Sequence, residues 1–373
     1  MTTWRQTVLI NSESFLGWLN EKGALEQQVH GIAEKLECFL VSRIQSADDA
    51  REFWDVIPRV RDSCNDLATF QRRLAVEAYA YVHFLDRYWR TFDVLTELTS
   101  KGVLPTASEG VRVLDVGTGP GPAAIAIEDY YSLLTEFGGV SEARNFIGQS
   151  AAVSVIEQSE EMLRFLRHFC EFASRPAPNE APSDFSTLDV VTDRVNYHHR
   201  LRSAEWYEPA TDDYFPEYSA ADANTVAQRL HRYRLIVFSN FFTEEKSVLE
   251  FRNVILKLFK DLRNGGTVTV LSASGRQYKS IHETIASLAA SSRLKPMREV
   301  SSSLGAGSYF RVAGIIKNFQ HKVYLHLLSL SGPDSLERGK SWPDYWNPEP
   351  YQGRRSEFGL RVYRKGKWPG NTK

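Results

Sequence analysis

One stretch limits what this chain can fold into. Val111-Arg112-Val113-Leu114-Asp115-Val116 is an apolar run interrupted near its end by an acid, and Gly117-Thr118-Gly119-Pro120-Gly121 follows with glycine at every second position. Apolar residues resume in Ala123, Ala124, Ile125, Ala126 and Ile127, which reads as a helix. The order is strand, glycine loop, helix. Glycines let the backbone turn sharply and let a ligand approach with no Cβ in the way. The helix that follows presents N–H groups without intrahelical partners. Such a loop is a nucleotide-like binding loop between a strand and a helix. The dinucleotide form Gly-x-Gly-x-x-Gly is absent, because the glycines here fall at 117, 119 and 121.

Further segments repeat the strand-then-helix order. Val153-Ser154-Val155-Ile156 reads as a short buried strand ending at Glu157, with a helix from Glu160 through Met162 and Leu163. Tyr233 to Phe238 is another apolar run, and it ends in Ser239, Asn240, Phe241 and Phe242. A helical pattern carries Val248, Phe251, Val254, Ile255, Leu258, Phe259 and Leu262 and stops at Asn264-Gly265-Gly266. Thr267 to Leu271 then reads as a β-rich buried strand. In an open parallel sheet, ligands bind beyond the carboxyl ends of the strands. Asp115, Glu157 and Ser239-Asn240 are thereby expected on one side of the sheet.

The Asp-x-Gly-x-Gly-x-Gly form of Asp115 to Gly121 resembles the first motif of class I S-adenosylmethionine-dependent methyltransferases. The resemblance implies an α/β fold, a Rossmann-like seven-stranded methyltransferase sheet with an N-terminal helical domain, and S-adenosylmethionine as cofactor. It implies that Asp115, Gly117, Thr118, Gly119 and Gly121 hold the methionine and ribose parts. Glu157, with Gln158 beside it, matches the ribose-binding acid, since a carboxylate accepts hydrogen bonds from both ribose hydroxyls. Ala204 and Glu205, next to Trp206, are the candidates for reading the adenine, and Ser239 and Asn240 for the methyl-transfer end. Two departures stand out. Glu157 follows Asp115 by 42 positions, against about 20 for such a pair, so an extended helix or an insertion lies between them. Ser239-Asn240-Phe241-Phe242 is also not the Asn-Pro-Pro-Tyr type signature of many amino-group methyltransferases.

The expected organisation is a helical cap or substrate domain over 1–105 and a catalytic domain over 106–373. Insertions are expected at 130–150, 175–225 and 331–356. In the first part Leu67, Phe70, Leu74, Ala78, Tyr81, Leu85, Tyr88, Phe92 and Leu95 step by three or four, which predicts one continuous helical stripe. Asn65 or Asp66 is its expected cap, and Gly102 and Pro105 end the segment. Arg72, Arg73, Arg87 and Arg90 read as a solvated face, with contacts to the acceptor as the alternative. The third strand is expected within 188–197, a helix from Tyr278 to Ala290, and an irregular region through Gly307. Phe358 to Arg364 alternates and is expected to close the sheet in an antiparallel hairpin. A second, looser resemblance joins Ala78 to Tyr81, Leu85 to Tyr88, Val113 to Ala126 and Phe358 to Gly366 to the mitochondrial small-ribosomal-subunit methyltransferase-like family. The iron–sulfur cysteine cluster of that family is missing from this sequence.

Composition narrows the function. The formal net charge of −1 gives no global pull toward nucleic acid. Three scattered cysteines, Cys38, Cys64 and Cys170, make neither a disulfide framework nor a zinc pattern. They fit reduced thiols in a cytoplasmic protein. No apolar stretch is long enough to span a bilayer, and Met1 to Asn20 lacks the plan of a secretion signal. Three readings follow. The first is a methyltransferase for an oxygen or nitrogen atom of a small, planar acceptor. The second is an RNA methyltransferase that uses the basic and aromatic residues of the C-terminal run, among them Arg354, Arg355, Arg361, Arg364, Lys365 and Trp368. The third is a non-catalytic binding or assembly protein. His198, His199, Glu205 and Tyr207 are candidate bases, with none singled out.

Overall fold

The computed structural model describes residues 12–62, 67–106, 111–140, 151–157, 159–174, 188–190, 233–273, 278–300, 303–304, 306–332 and 358–366. Helices α1 (Ser12–Lys22), α2 (Ala24–Arg43), α3 (Ala47–Asp62), α4 (Leu67–Phe70) and α5 (Ala75–Ser100) precede the first strand. Then come β1 (Val111–Val116), α6 (Pro122–Val140), β2 (Ala151–Ile156), α7 (Glu160–Ala173), β3 (Leu188–Val190) and β4 (Leu235–Ser239). The chain continues through α8 (Glu245–Glu250), α9 (Arg252–Asp261), β5 (Thr267–Ala273), α10 (Tyr278–Ser291), β6 (Leu294–Pro296) and β7 (Ser303–Leu304). It closes with α11 (Ala306–Ser331) and β8 (Phe358–Lys365).

The strands lie in the order β3-β2-β1-β4-β5-β8-β6, with the short β7 pairing β8 off that path. The first five are parallel and run in the 3-2-1-4-5 order of a doubly wound sheet. β8 enters antiparallel between β5 and β6. The expected Rossmann-like seven-stranded sheet with a reversed closing strand is present, with β7 as a small addition. Successive residues of a strand face opposite sides. Val113 of β1, Leu235 and Val237 of β4 and Leu271 of β5 therefore enter one apolar core with α5, α6 and α7. Leu114, Val116, Ile236, Phe238, Val268 and Val270 enter the other, with α8, α9 and α10. Burial on both faces explains why these strands read as near-continuous apolar runs. Asp115, the odd neighbour of Val113, turns toward the α5 and α6 side.

Local signals start the helices. Ser46 Oγ accepts from the Asp49 N–H at 3.1 Å while Asp49 Oδ2 accepts from the Ser46 N–H at 2.9 Å, a reciprocal box that opens α3. Ser159 Oγ accepts from Met162 N at 3.2 Å and caps α7, whose first turn carries Glu160 and Glu161 against the dipole. Pro122 occupies the first position of α6, where its missing N–H costs nothing.

The long stripe from Leu67 to Leu95 is not one helix. A turn breaks the helix between α4 and α5, with Leu74 in the left-handed region at φ 59°. Phe70 before the turn and Leu74 within it stay buried, so apolar spacing does not register the break. Arg73 in this turn pairs with Asp49 and, at 3.3 Å, with Glu52 of α3. Arg90 departs from the expected solvated face: it pairs with Asp86 at 3.1 Å and lies over the rings of Trp89 and Phe358. Its apolar stem and planar head suit that interior better than water. The single helix expected over Val248 to Leu262 is divided at Phe251 into α8 and α9.

Helix α11 packs on α2, α3 and α5. Tyr81 donates its hydroxyl to the Gln320 carbonyl at 3.0 Å, and the Gln320 amide returns a bond to the Tyr81 carbonyl at 3.4 Å. Among the described residues, no helix is long and apolar enough to cross a membrane.

Candidate functional site

The glycine loop sits at the carboxyl end of β1. All three of its glycines take left-handed backbone angles, with φ of 71° at Gly117, 60° at Gly119 and 91° at Gly121. A Cβ on Gly117 would lie 2.2 Å from Phe241 Cδ2, and one on Gly121 would lie 2.2 Å from Leu166 Cδ1. Those two glycines are required by packing as well as by conformation. Gly119 differs, because the nearest atom to its hypothetical Cβ is Tyr79 Cε1 at 3.9 Å. A methyl there would make ordinary van der Waals contact with that ring, and Gly119 itself is buried beneath it.

Asp115 is fully buried at the end of the strand. Thr118 donates its hydroxyl to Asp115 Oδ2 at 2.6 Å, while Oδ1 has no hydrogen-bond partner among the described residues. Burial pushes the Asp115 carboxyl up to about 7, with the Glu157 charge adding to the rise. The Thr118 hydroxyl, the Ala124 N–H and the Arg87 guanidinium act against that rise. Glu157 lies just beyond β2, whose register sets Val116 opposite Ile156. Its Oε2 accepts the Gly119 N–H at 2.7 Å and its Oε1 accepts the Ser159 N–H at 3.0 Å. The loop also rests on β2 directly, with the Gly117 and Thr118 N–H groups donating to the Ile156 carbonyl at 2.8 and 3.1 Å.

The fourth strand brings the remaining pair. Ser239 is buried at the end of β4, and Asn240 follows with φ 54°, its N–H donating to the Leu271 carbonyl at 3.0 Å. That left-handed turn sends Phe241 back over Gly117, where its ring meets Phe242 and Phe251. β1 and β4 are neighbours in the sheet although β2 and β3 lie between them in sequence. This is the point where the winding reverses and where an open α/β sheet leaves a crevice for a ligand. Asp115, Gly117, Thr118, Gly119, Gly121, Glu157, Ser239 and Asn240 thus converge on one end of the sheet. Gln158, Ala204 and Glu205 lie outside the described residues, as do His198, His199, Trp206 and Tyr207.

A helical cap is expected from the segment before β1, but the sequence does not single out which of its residues lie over the loop. Tyr79, His83 and Arg87 stand four residues apart on α5, so they share a face. Tyr79 and His83 have ring centroids 4.9 Å apart, and the Arg87 guanidinium lies 4.9 Å from the Tyr79 centroid. Burial pushes the His83 imidazole down to about 3, helped by the charges of Arg87 and Arg90, so it is neutral near pH 7. Its Nε2 is shielded from solvent and has no partner among the described residues. One signal for this face lay in the sequence. Tyr79, Phe84 and Trp89 fall off the main apolar stripe, which marks α5 as buried on more than one side.

No protein-family model matches the chain, and no curated protein matches it. Solved structures with a similar course include the [4+2]-cyclase SpnF, at 14% identity over 76% of this chain and 82% of that one, with a TM-score of 0.37. Phosphoethanolamine N-methyltransferase 2 of Haemonchus contortus, in complex with phosphomonomethylethanolamine and S-adenosylhomocysteine, aligns at 12% identity, 81% and 60% coverage and TM-score 0.38. The cyclopropane synthase MmaA2 of Mycobacterium tuberculosis aligns at 11% identity, 87% and 96% coverage and TM-score 0.38. At such identities and TM-scores, the fold is defined by this chain's own strand order and loop geometry.

Proposed function

We propose that this protein is an S-adenosylmethionine-dependent methyltransferase that acts on an oxygen or nitrogen atom of a small, planar acceptor. One observation carries the reading. Three left-handed glycines lie between a buried strand-end acid with an unpartnered oxygen, Asp115, and a second acid, Glu157, that reaches the tip of the same loop. The residues fit the cofactor on that ground. Asp115 Oδ1 is a buried acceptor with no donor among the described residues. The position of Glu157 just beyond β2, bonded to the loop, supports its reading as the ribose-binding acid.

When bound, the cofactor supplies a methyl group already activated by a sulfonium. The protein then has to hold the acceptor in line with that methyl and keep water out. Asp115, the three glycines and Glu157 are the residues proposed to hold the cofactor, and Ser239, Asn240 and Phe241 border the transfer end. Phe241, fixed over Gly117 by its neighbouring rings, offers an aromatic surface for a planar acceptor. An acceptor that must lose a proton needs a base, and the candidates for it lie outside the described residues.

The small-molecule reading is favoured over RNA by the described part of the C-terminal basic run. Arg364 is 8% exposed, and Lys365 donates to the Phe259 carbonyl at 3.2 Å and to the Lys260 carbonyl at the end of α9. These cations stabilise the fold instead of forming an open phosphate-binding face. The test is calorimetry of cofactor-free protein with S-adenosylmethionine and S-adenosylhomocysteine. Saturable binding of one molecule per chain is expected, and no binding of either sinks the proposal. A salt titration with total RNA separates the two acceptor classes, because phosphate contacts weaken steeply with salt.

A further inference from the structure

The methyltransferase reading leaves the face of α5 above the loop without a role. Arg87 there is half-buried, lies over Tyr79, and has no ion-pair partner among the described residues. Its charge nonetheless reaches into the site, acting on both Asp115 and His83. Tyr79, which carries it, packs over Gly119, with Cε1 3.9 Å from where a Cβ on that glycine would lie. Phe70 of α4 holds the Tyr79 ring edge-on at 5.4 Å between centroids, so the platform is fixed. The acids on the loop side are Glu157, which holds the Gly119 N–H, and the buried Asp115. A ligand with a carboxylate of its own would be repelled there unless a cation stood opposite. Arg87 is the cation in that place, and a planar guanidinium braced on a ring matches a carboxylate in a way that a lysine does not.

We infer that Arg87, laid over Tyr79 at the tip of the glycine loop, is the counter-ion for the carboxylate at the amino-acid end of the ligand. The inference rests on the S-adenosylmethionine reading and deepens it. It makes α5 part of the binding site and makes the site selective for adenosyl thioethers that retain the amino-acid group. His83 packs its ring against Tyr79 beside that pair, and its Nε2 has no hydrogen-bond partner among the described residues.

The experiment compares two probes by calorimetry. S-adenosylhomocysteine carries the carboxylate, whereas 5′-methylthioadenosine has the same adenosine and thioether without the amino-acid end. Arg87→Gln is expected to weaken S-adenosylhomocysteine by about tenfold or more and to leave 5′-methylthioadenosine within about twofold. Arg87→Lys, which keeps the charge and loses the fork, is expected to fall between wild type and Arg87→Gln for the first probe only. An equal loss for both probes in Arg87→Gln, or a loss for neither, overturns the assignment while the cofactor reading stands. Failure of the wild-type protein to bind either probe overturns both. A melting curve of each variant, matched to wild type, confirms that the comparison is made on folded protein.

Discussion

Glu157 closes the glycine loop by accepting the Gly119 N–H at 2.7 Å, 38 residues away in sequence. The same carboxylate takes the Ser159 N–H, so it joins the loop after β1 to the start of α7. A candidate ribose ligand is therefore also a structural staple. Both bonds run from backbone N–H groups to an ionised acceptor, a class worth about 1.5–3 kcal/mol each.

Replacing Glu157 with Gln keeps the shape but turns one oxygen into a donor that faces an N–H. Glu157→Gln is expected to lose about 1–3 kcal/mol of stability in urea unfolding and to bind adenosine-containing ligands more weakly. Glu157→Asp, one methylene shorter, cannot reach both donors and is expected to lose a similar amount. Unchanged midpoints for both variants would mean that the staple carries no stability.

The three glycines are expected to tolerate alanine unequally. Any L residue at these angles costs about 1–2 kcal/mol. At Gly117 and Gly121 the new methyl also meets Phe241 and Leu166 at 2.2 Å, and overpacking adds about 1–3 kcal/mol. Gly119→Ala should therefore be the most stable of the three, yet it should still impair ligand binding, because its methyl is set between the loop and Tyr79. A double-mutant cycle of Gly117→Ala with Phe241→Ala should show a favourable coupling of about 1–3 kcal/mol. Additive effects in that cycle would show that Phe241 gives way freely.

Much of this arrangement is legible in the sequence because the sheet is buried on both faces. Val113 to Val116, Val153 to Ile156 and Leu235 to Phe238 face apolar neighbours on both sides and read as unbroken runs. The loop reads through its glycines, and the stop after α9 through Gly265, at φ 80°. What escaped depends on contacts between distant segments. Leu74 adopts a left-handed angle with no glycine to mark it, so the break before α5 has no local signature. Helix α11 is set by its packing on α2 and α3, and α5 by what lies on every side of it. The approach of Tyr79, with Arg87 over its ring, to Gly119 joins segments far apart in sequence, and no spacing rule within α5 singles it out.

The cysteines make a simple test of the packing. Cys38 is exposed, whereas Cys170 is largely enclosed on α7 and burial pushes its thiol up to about 12. The thiolate is the reacting form, so Cys170 should resist alkylation in the folded state. In a Cys64→Ser background, mass spectrometry after iodoacetamide treatment should find Cys38 modified first and Cys170 modified only in denaturant. Equal labelling of the two in native buffer would contradict the packing of α7 against the core.

Asp115 should make the protein less stable as the pH rises. Its folded carboxyl is pushed up to about 7, well above the unfolded range near 3.8. Between those values the folded state binds a proton that the unfolded state releases. The stability linked to this group is therefore fully present below about pH 4 and is lost as the pH rises through about 7. His83 works in the opposite direction, since its folded ring is pushed down to about 3 and charging it in the unfolded chain favours unfolding in acid. The wild-type profile mixes these terms, so the test is a difference. Asp115→Asn keeps the acceptor for Thr118 and removes the titration. Its melting temperature relative to wild type should climb between pH 5 and 7 and level off above, with a gain of at least about 1 kcal/mol at pH 8. The same variant should bind S-adenosylhomocysteine more weakly, so stability and binding should move in opposite directions. A pH-independent difference in melting temperature would show that Asp115 is ionised throughout, held by a stronger partner than the Thr118 hydroxyl.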